Sequence, residues 1–168
     1  MSLSLPDVIA PDLSVVFCGI NPGMRAAAAG HHFVGRGNRF WRVMHLAGFT
    51  PHQLDAERDR TLLEYRCGLT TAVARATVGA SELSRHDFIA ASAHLEAKIA
   101  RYAPRVIAFL GKAAYSAIVG QRDVPWGVQS APFGGSIVWV LPNPSGLNRT
   151  FSLAELVDAY HQLYRAVT

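Results

Sequence analysis

Leu13-Ser14-Val15-Val16-Phe17-Cys18-Gly19-Ile20 runs straight into Asn21-Pro22-Gly23, and the fold is decided by that stretch. The first eight residues are short, apolar and rich in β-branched side chains, the composition of a strand buried on both faces. The next three are a turn signal that stops it. Outward from there the pattern repeats. Asn38 to Ala47 puts Phe40, Val43, Met44 and Ala47 at helical spacing, and about Gln53 to Tyr65 reads as a second helix through Leu54, Leu62, Leu63 and Tyr65. Cys67 to Val73 reads as a strand. Ser84 with Asp87 three residues on opens a long helix whose stripe, Phe88, Ala91, Leu95, Ile99 and Tyr102, ends at Pro104. Arg105 to Leu110 and Ser136 to Leu141 are further strands, with a helix over about Lys112 to Val119 between them. Ser152-Leu153-Ala154-Glu155 is a capping box before a last helix, whose Leu156, Val157, Tyr160, Leu163, Tyr164 and Val167 keep the 3.6 period.

Near-continuous apolar strands alternating with helices imply an α/β fold with a mostly parallel sheet covered on both faces. Ligands of such sheets bind beyond the carboxyl ends of the strands, where both Asn21-Pro22-Gly23 and the loop from Pro142 to Arg149 lie. The 168 residues suit one domain spanning 1–168. At 50% hydrophobic and 17% charged, the chain has enough core without metal or disulfide staples. No apolar run approaches the roughly 18 residues of a membrane span, and Met1 to Asp7 lacks the basic and apolar regions of a signal peptide, so a cytoplasmic protein is expected. Two cysteines, Cys18 and Cys67, are too few for a four-thiolate site. His31 and His32 are adjacent in sequence, a poor spacing for one metal, and read instead as a polar loop pair able to touch phosphate or base. Neither metal nor cofactor is expected.

The net charge is +4, from sixteen basic against twelve acidic residues, and its placement says more than its size. No carboxylate lies between Asp12 and Asp55, where Arg25, Arg36, Arg39 and Arg42 fall, and none from Val124 to Ala154, which holds Arg149. If the two segments meet, they make one face open to phosphate. Three other motifs are incomplete. Gly35-Arg36-Gly37-Asn38-Arg39-Phe40 has Phe40 where a dinucleotide fingerprint needs its third glycine. Gly111-Lys112 has Val106 and Ala113 at the positions where a phosphate loop needs Gly and Ser or Thr, and Ser145 lacks the Gly-x-Ser-x-Gly elbow.

Gly19-Ile20-Asn21-Pro22-Gly23, then Gly30-His31-His32-Phe33 and Gly37-Asn38-Arg39-Phe40-Trp41, then Pro142-Asn143-Pro144-Ser145-Gly146-Leu147-Asn148-Arg149, closely resemble the mismatch-specific uracil/thymine DNA glycosylases, a branch of the uracil-DNA glycosylase superfamily. The resemblance runs from about Val15 to the last helix and takes in Tyr65-Arg66-Cys67-Gly68-Leu69-Thr70. It implies a three-layer α/β/α sandwich that removes uracil, and more weakly thymine or ethenocytosine, from mispairs with guanine in duplex DNA, acting as a monomer. Asn21 takes the place of the catalytic Asn and Phe33 that of the ring stacked on the extruded base. Gly19, Ile20, Ala26, His32, Thr71 and Asn143 would line the base pocket. Ser145, Gly146, Leu147, Asn148 and Arg149 would form the wedge and strand contacts. Ala26 stands where thymine-processing relatives also carry Ala, and Thr71 departs from the Asn or Lys usual at its place.

The residue types suit that chemistry. An enzyme acting on a base in a duplex must extrude it, and an apolar finger such as Leu147 fills the gap while Arg149 holds the opposite strand or its phosphates. Backbone groups around Gly146 and Asn148 are expected to meet the widowed guanine. Asn21 can align water through its amide oxygen but is a poor general base, which implies a slow enzyme limited to good leaving groups. Backbone N–H groups near Ile20 and Phe33, with Asn143, are expected to stabilise charge on the departing base. Two rival readings are a non-catalytic lesion or abasic-site binding module and a small-molecule nucleotide binder on the same sheet.

Overall fold

Alternate side chains of Val15–Gly19 (β1) leave the sheet on opposite faces and seed a separate core on each: Val15 and Phe17 on one, Val16 and Cys18 on the other. The computed structural model describes residues 4–168. In chain order β1 is followed by helices Met24–Ala29 (α1) and Phe40–Leu46 (α2), a 3-10 segment Ala56–Tyr65, Cys67–Thr71 (β2), Arg85–Tyr102 (α3), Val106–Leu110 (β3), Ala113–Val119 (α4), Gly127–Val128 (β4), Ile137–Leu141 (β5) and Leu153–Val167 (α5). The strand order is β2-β1-β3-β5-β4. Every pairing is parallel except that of β4 with β5. Gly19 faces Thr71 at the end of β1. Leu110 faces Leu141 at the ends of β3 and β5.

One face is covered by α2, α5 and the 3-10 segment. There Phe17 meets Phe40 edge-on at 5.6 Å and stacks on Tyr160 at 6.2 Å. The other is covered by α3 and α4, through Phe88, Leu95, Ile99 and Tyr115. The result is the expected α/β sandwich with a mostly parallel sheet. Because the chain steps from β1 to β2 on one side and then to β3 on the other, the carboxyl ends of β1 and β3 flank a topological switch point.

Three elements differ from what the sequence pattern predicts. The helix expected over Gln53 to Tyr65 is a 3-10 segment that starts at Ala56, capped by the Asp55 side chain on the Arg58 N–H and broken at Arg58. Its charged first half offers no apolar stripe, and Leu62 is its one buried apolar side chain. The six-residue α1 leaves no sequence signal, since it lacks a side-chain cap and any acidic residue in its first turn. The two-residue β4 is too short for a periodic one. Cys18 and Cys67 are free and buried; burial raises both thiols, Cys67 to about 12, so they pack as neutral side chains. Among the described residues no helix is long and apolar enough to cross a membrane.

Candidate active site

A cleft of about 670 Å³ opens at the switch point, and Asn21 and Leu147, carried by loops after β1 and β5, both line it. Gly19, Ile20, Ala26, His32, Phe33, Thr71, Asn143, Ser145 and Gly146 line it too. Among the described residues no Asp or Glu does, while Arg25 and Arg36 do.

The orientation of Asn21 is fixed by what its amide can donate to. Nδ2 donates to the Arg75 carbonyl at 2.8 Å and to Thr77 Oγ1 at 2.8 Å, and the Thr77 hydroxyl donates onward to the Gly79 carbonyl. A carbonyl only accepts, so the nitrogen must sit on that side and Oδ1 is left without a partner among the described residues. Thr77 is buried and its backbone is bonded to Pro22 and Met24. Sequence reasoning misses it, because it lies in an irregular stretch with no motif.

Phe33 has φ 57°, a left-handed backbone unusual for an aromatic residue, and its ring stacks on Phe40 at 4.1 Å with 17° between planes. Asp59, only 3% exposed, holds the preceding turn: its carboxylate accepts the His32 N–H at 3.0 Å and faces His31 Nδ1 at 3.3 Å. His32 is buried with Nε2 at 2.8 Å from the Pro6 carbonyl, which makes Nε2 the protonated nitrogen. Burial lowers the His32 pKa, against the smaller opposing effects of the Pro6 carbonyl and Asp59, so the ring is neutral and is not a cation for phosphate. His31 is turned to Asp59 and does not line the Asn21 cleft. Nothing among the described residues accepts from the N–H of Ile20 or Phe33.

The loop after β5 is braced from within by its own side chains and from outside by Arg39 and Tyr160. Asn143 Oδ1 accepts the Ser145 N–H, Ser145 Oγ accepts the Leu147 N–H, and Asn148 Nδ2 donates to the Asn143 carbonyl. Asn148 also gives its N–H to Ser145 and accepts from Arg39 at its carbonyl, which keeps a second lone pair. Arg39 reaches across from the first acid-free stretch and donates to the carbonyls of Ser145, Asn148 and Phe151 at 3.0, 2.8 and 2.7 Å. It is a structural clamp, where charge placement alone makes it one more member of a positive face. Gly146 packs on Gly37 so closely that a Cβ would sit 2.5 Å from the Gly37 carbonyl oxygen. Leu147 projects from this braced loop 90% exposed, and Arg149 is exposed beside it.

The fold is similar to a solution NMR structure of a uracil DNA glycosylase candidate from Methanosarcina acetivorans, with TM-score 0.60 and 22% identity over 97% of this chain and 98% of that one. The sequence model of the Uracil DNA glycosylase superfamily matches residues 6–164, which takes in both cleft loops. The chain belongs to the uracil DNA glycosylase superfamily.

Proposed function

We propose that this protein is a monofunctional glycosylase that hydrolyses the N-glycosidic bond of uracil mispaired with guanine in duplex DNA, with weaker action on thymine and on damaged pyrimidines such as ethenocytosine. The observation that carries the reading is the cleft shared by Asn21, whose amide oxygen has no partner among the described residues, and a projecting Leu147. What counts is not that a leucine is exposed but that it projects at the mouth of the Asn21 cleft, where an apolar side chain suits the gap left in a base stack.

In this mechanism Leu147 replaces the extruded base, which enters the cleft against the Phe33 ring. Asn21 Oδ1 accepts a hydrogen bond from a water aimed at C1′. The C1′–N1 bond breaks ahead of attack, the base leaves with the electron pair as an anion, and the sugar becomes oxocarbenium-like before the water oxygen bonds to C1′ and gives its proton to solvent, from which the released base takes one up. The N–H groups of Ile20 and Phe33 and the Asn143 amide are the candidates to hold charge on the base oxygens. With no carboxylate among the described residues of the cleft, the water is not deprotonated first, so the leaving group must be good, and uracil mispaired with guanine costs less to extrude than a correctly paired base.

An end-labelled G·U duplex incubated with excess enzyme and heated in alkali should break at the uracil. Asn21→Ala should slow release by more than about 100-fold with duplex affinity retained. A cleft without a carboxylate among its described residues is also compatible with the second reading, a lesion-binding module without turnover; tight binding to the G·U duplex with an intact strand after hours would select it.

A further inference from the structure

Pro6 to Val8 belongs to no helix or strand, yet each of its three residues is tied down. The Pro6 carbonyl accepts from His32 Nε2 at 2.8 Å. The Asp7 carboxylate accepts from Lys98 Nζ at 2.6 Å and from the Thr70 hydroxyl at 2.8 Å. Val8 exchanges two backbone hydrogen bonds with Leu69. The approach requires a glycine opposite, since a Cβ on Gly68 would lie 2.5 Å from the Val8 carbonyl oxygen. The Asp7–Lys98 pair is 22% exposed on both sides, so it forms only after partial desolvation of two charges. At the end of this tether Leu5 lines the Asn21 cleft beside His32, Thr70 and Thr71.

Covering the open edge of β2 accounts for Val8. It does not account for Pro6, whose partner His32 is itself a cleft wall, or for Leu5. We infer that Leu5 determines specificity as one wall of the pyrimidine pocket, and that the Pro6-to-Val8 tether exists to hold it there. The identity of the ligand rests on the glycosylase reading; the placement of Leu5 does not.

The test compares wild type, Leu5→Ala and Asp7→Asn for single-turnover release of uracil and ethenocytosine opposite guanine. Leu5→Ala enlarges the pocket and should raise the ethenocytosine-to-uracil rate ratio by about fivefold or more, with Asp7→Asn moving it in the same direction. Equal slowing of both bases, as a purely structural role predicts, overturns the inference. A second measurement does not need turnover: in wild type, the Leu5 methyl resonances should shift with a duplex bearing 2′-fluoro-2′-deoxyuridine opposite guanine and stay in place with a fully paired duplex. Identical behaviour with both duplexes also overturns it. If wild type releases no uracil while the methyl shift is selective, the glycosylase reading falls and the pocket wall stands. If uracil is released while ratio and resonances are unmoved, the reverse holds.

Discussion

An asparagine amide can face a cleft with either end, and at Asn21 two hydrogen bonds choose the oxygen. Thr77→Val keeps the shape, removes the acceptor and leaves an amide N–H unpaired, a loss of about 1–3 kcal/mol that also frees the amide to rotate. Uracil release should slow about tenfold or more. Duplex affinity should be unchanged and Thr77→Ser should recover the rate; equal loss in the serine variant would mean that the methyl group, not the hydroxyl, matters. His32 gives a prediction of a different kind. Its pKa is lowered in the folded protein by burial, so below the ordinary histidine value of 6.5 the unfolded chain binds a proton that the folded chain resists. Its contribution is therefore complete above that pH and is lost as the pH falls below it. Melting temperature should drop as the pH falls below about 6.5 in wild type and less so in His32→Gln. Asp87 and Glu155, lowered by their capping serines, act in the same direction but in the carboxylate range.

At the scale of elements, the loop after β5 depends on two neighbours. Tyr160, fully buried in α5, donates from its hydroxyl to the Pro142 carbonyl at 2.8 Å, and Arg39 just before α2 gathers four carbonyls further on, those of Pro144, Ser145, Asn148 and Phe151. A lysine has one compact ammonium and cannot reproduce that fork, so Arg39→Lys should lower uracil release more than tenfold, by about the cost of one or two charge-assisted hydrogen bonds. Release from single-stranded uracil DNA, where no stack needs filling, should suffer less; parallel losses on both substrates would show that Arg39 acts through general stability. These dependences also mark what is legible in the sequence. Strands β1, β2, β3 and β5 and helices α3 and α5 follow from hydrophobic period and from serine caps, which are local properties. Asn21 and Leu147 are legible because each sits in a short motif. Thr77, Asp59 and Arg39 are not, because their partners lie 56, 27 and more than 100 residues away and no local pattern encodes such a meeting.

Over the whole molecule the two acid-free stretches do meet, since Arg39 of the first holds the loop of the second. Their meeting does not make every arginine a phosphate ligand. Arg39 is turned inward, while Arg25, Arg36 and Arg149 are exposed and belong to none of the ion pairs among the described residues, His31–Asp59, Arg75–Asp87 and Lys98–Asp7. Arg25 and Arg36 stand in the cleft and Arg149 follows the projecting leucine, so the free cations border the mouth on both loops. Each phosphate neutralised releases condensed counterions, and the slope of log affinity against log salt flattens by about 0.9 for each phosphate no longer neutralised. Arg36→Gln and Arg149→Gln should each reduce the slope for a G·U duplex by about that amount, and the double variant by about twice it. The same substitutions should change binding to a fully paired duplex by a similar factor, because phosphates carry no sequence. A slope unchanged in the double variant would place the DNA path elsewhere on the surface, whereas weakening confined to the mispaired duplex would make these arginines readers of the lesion.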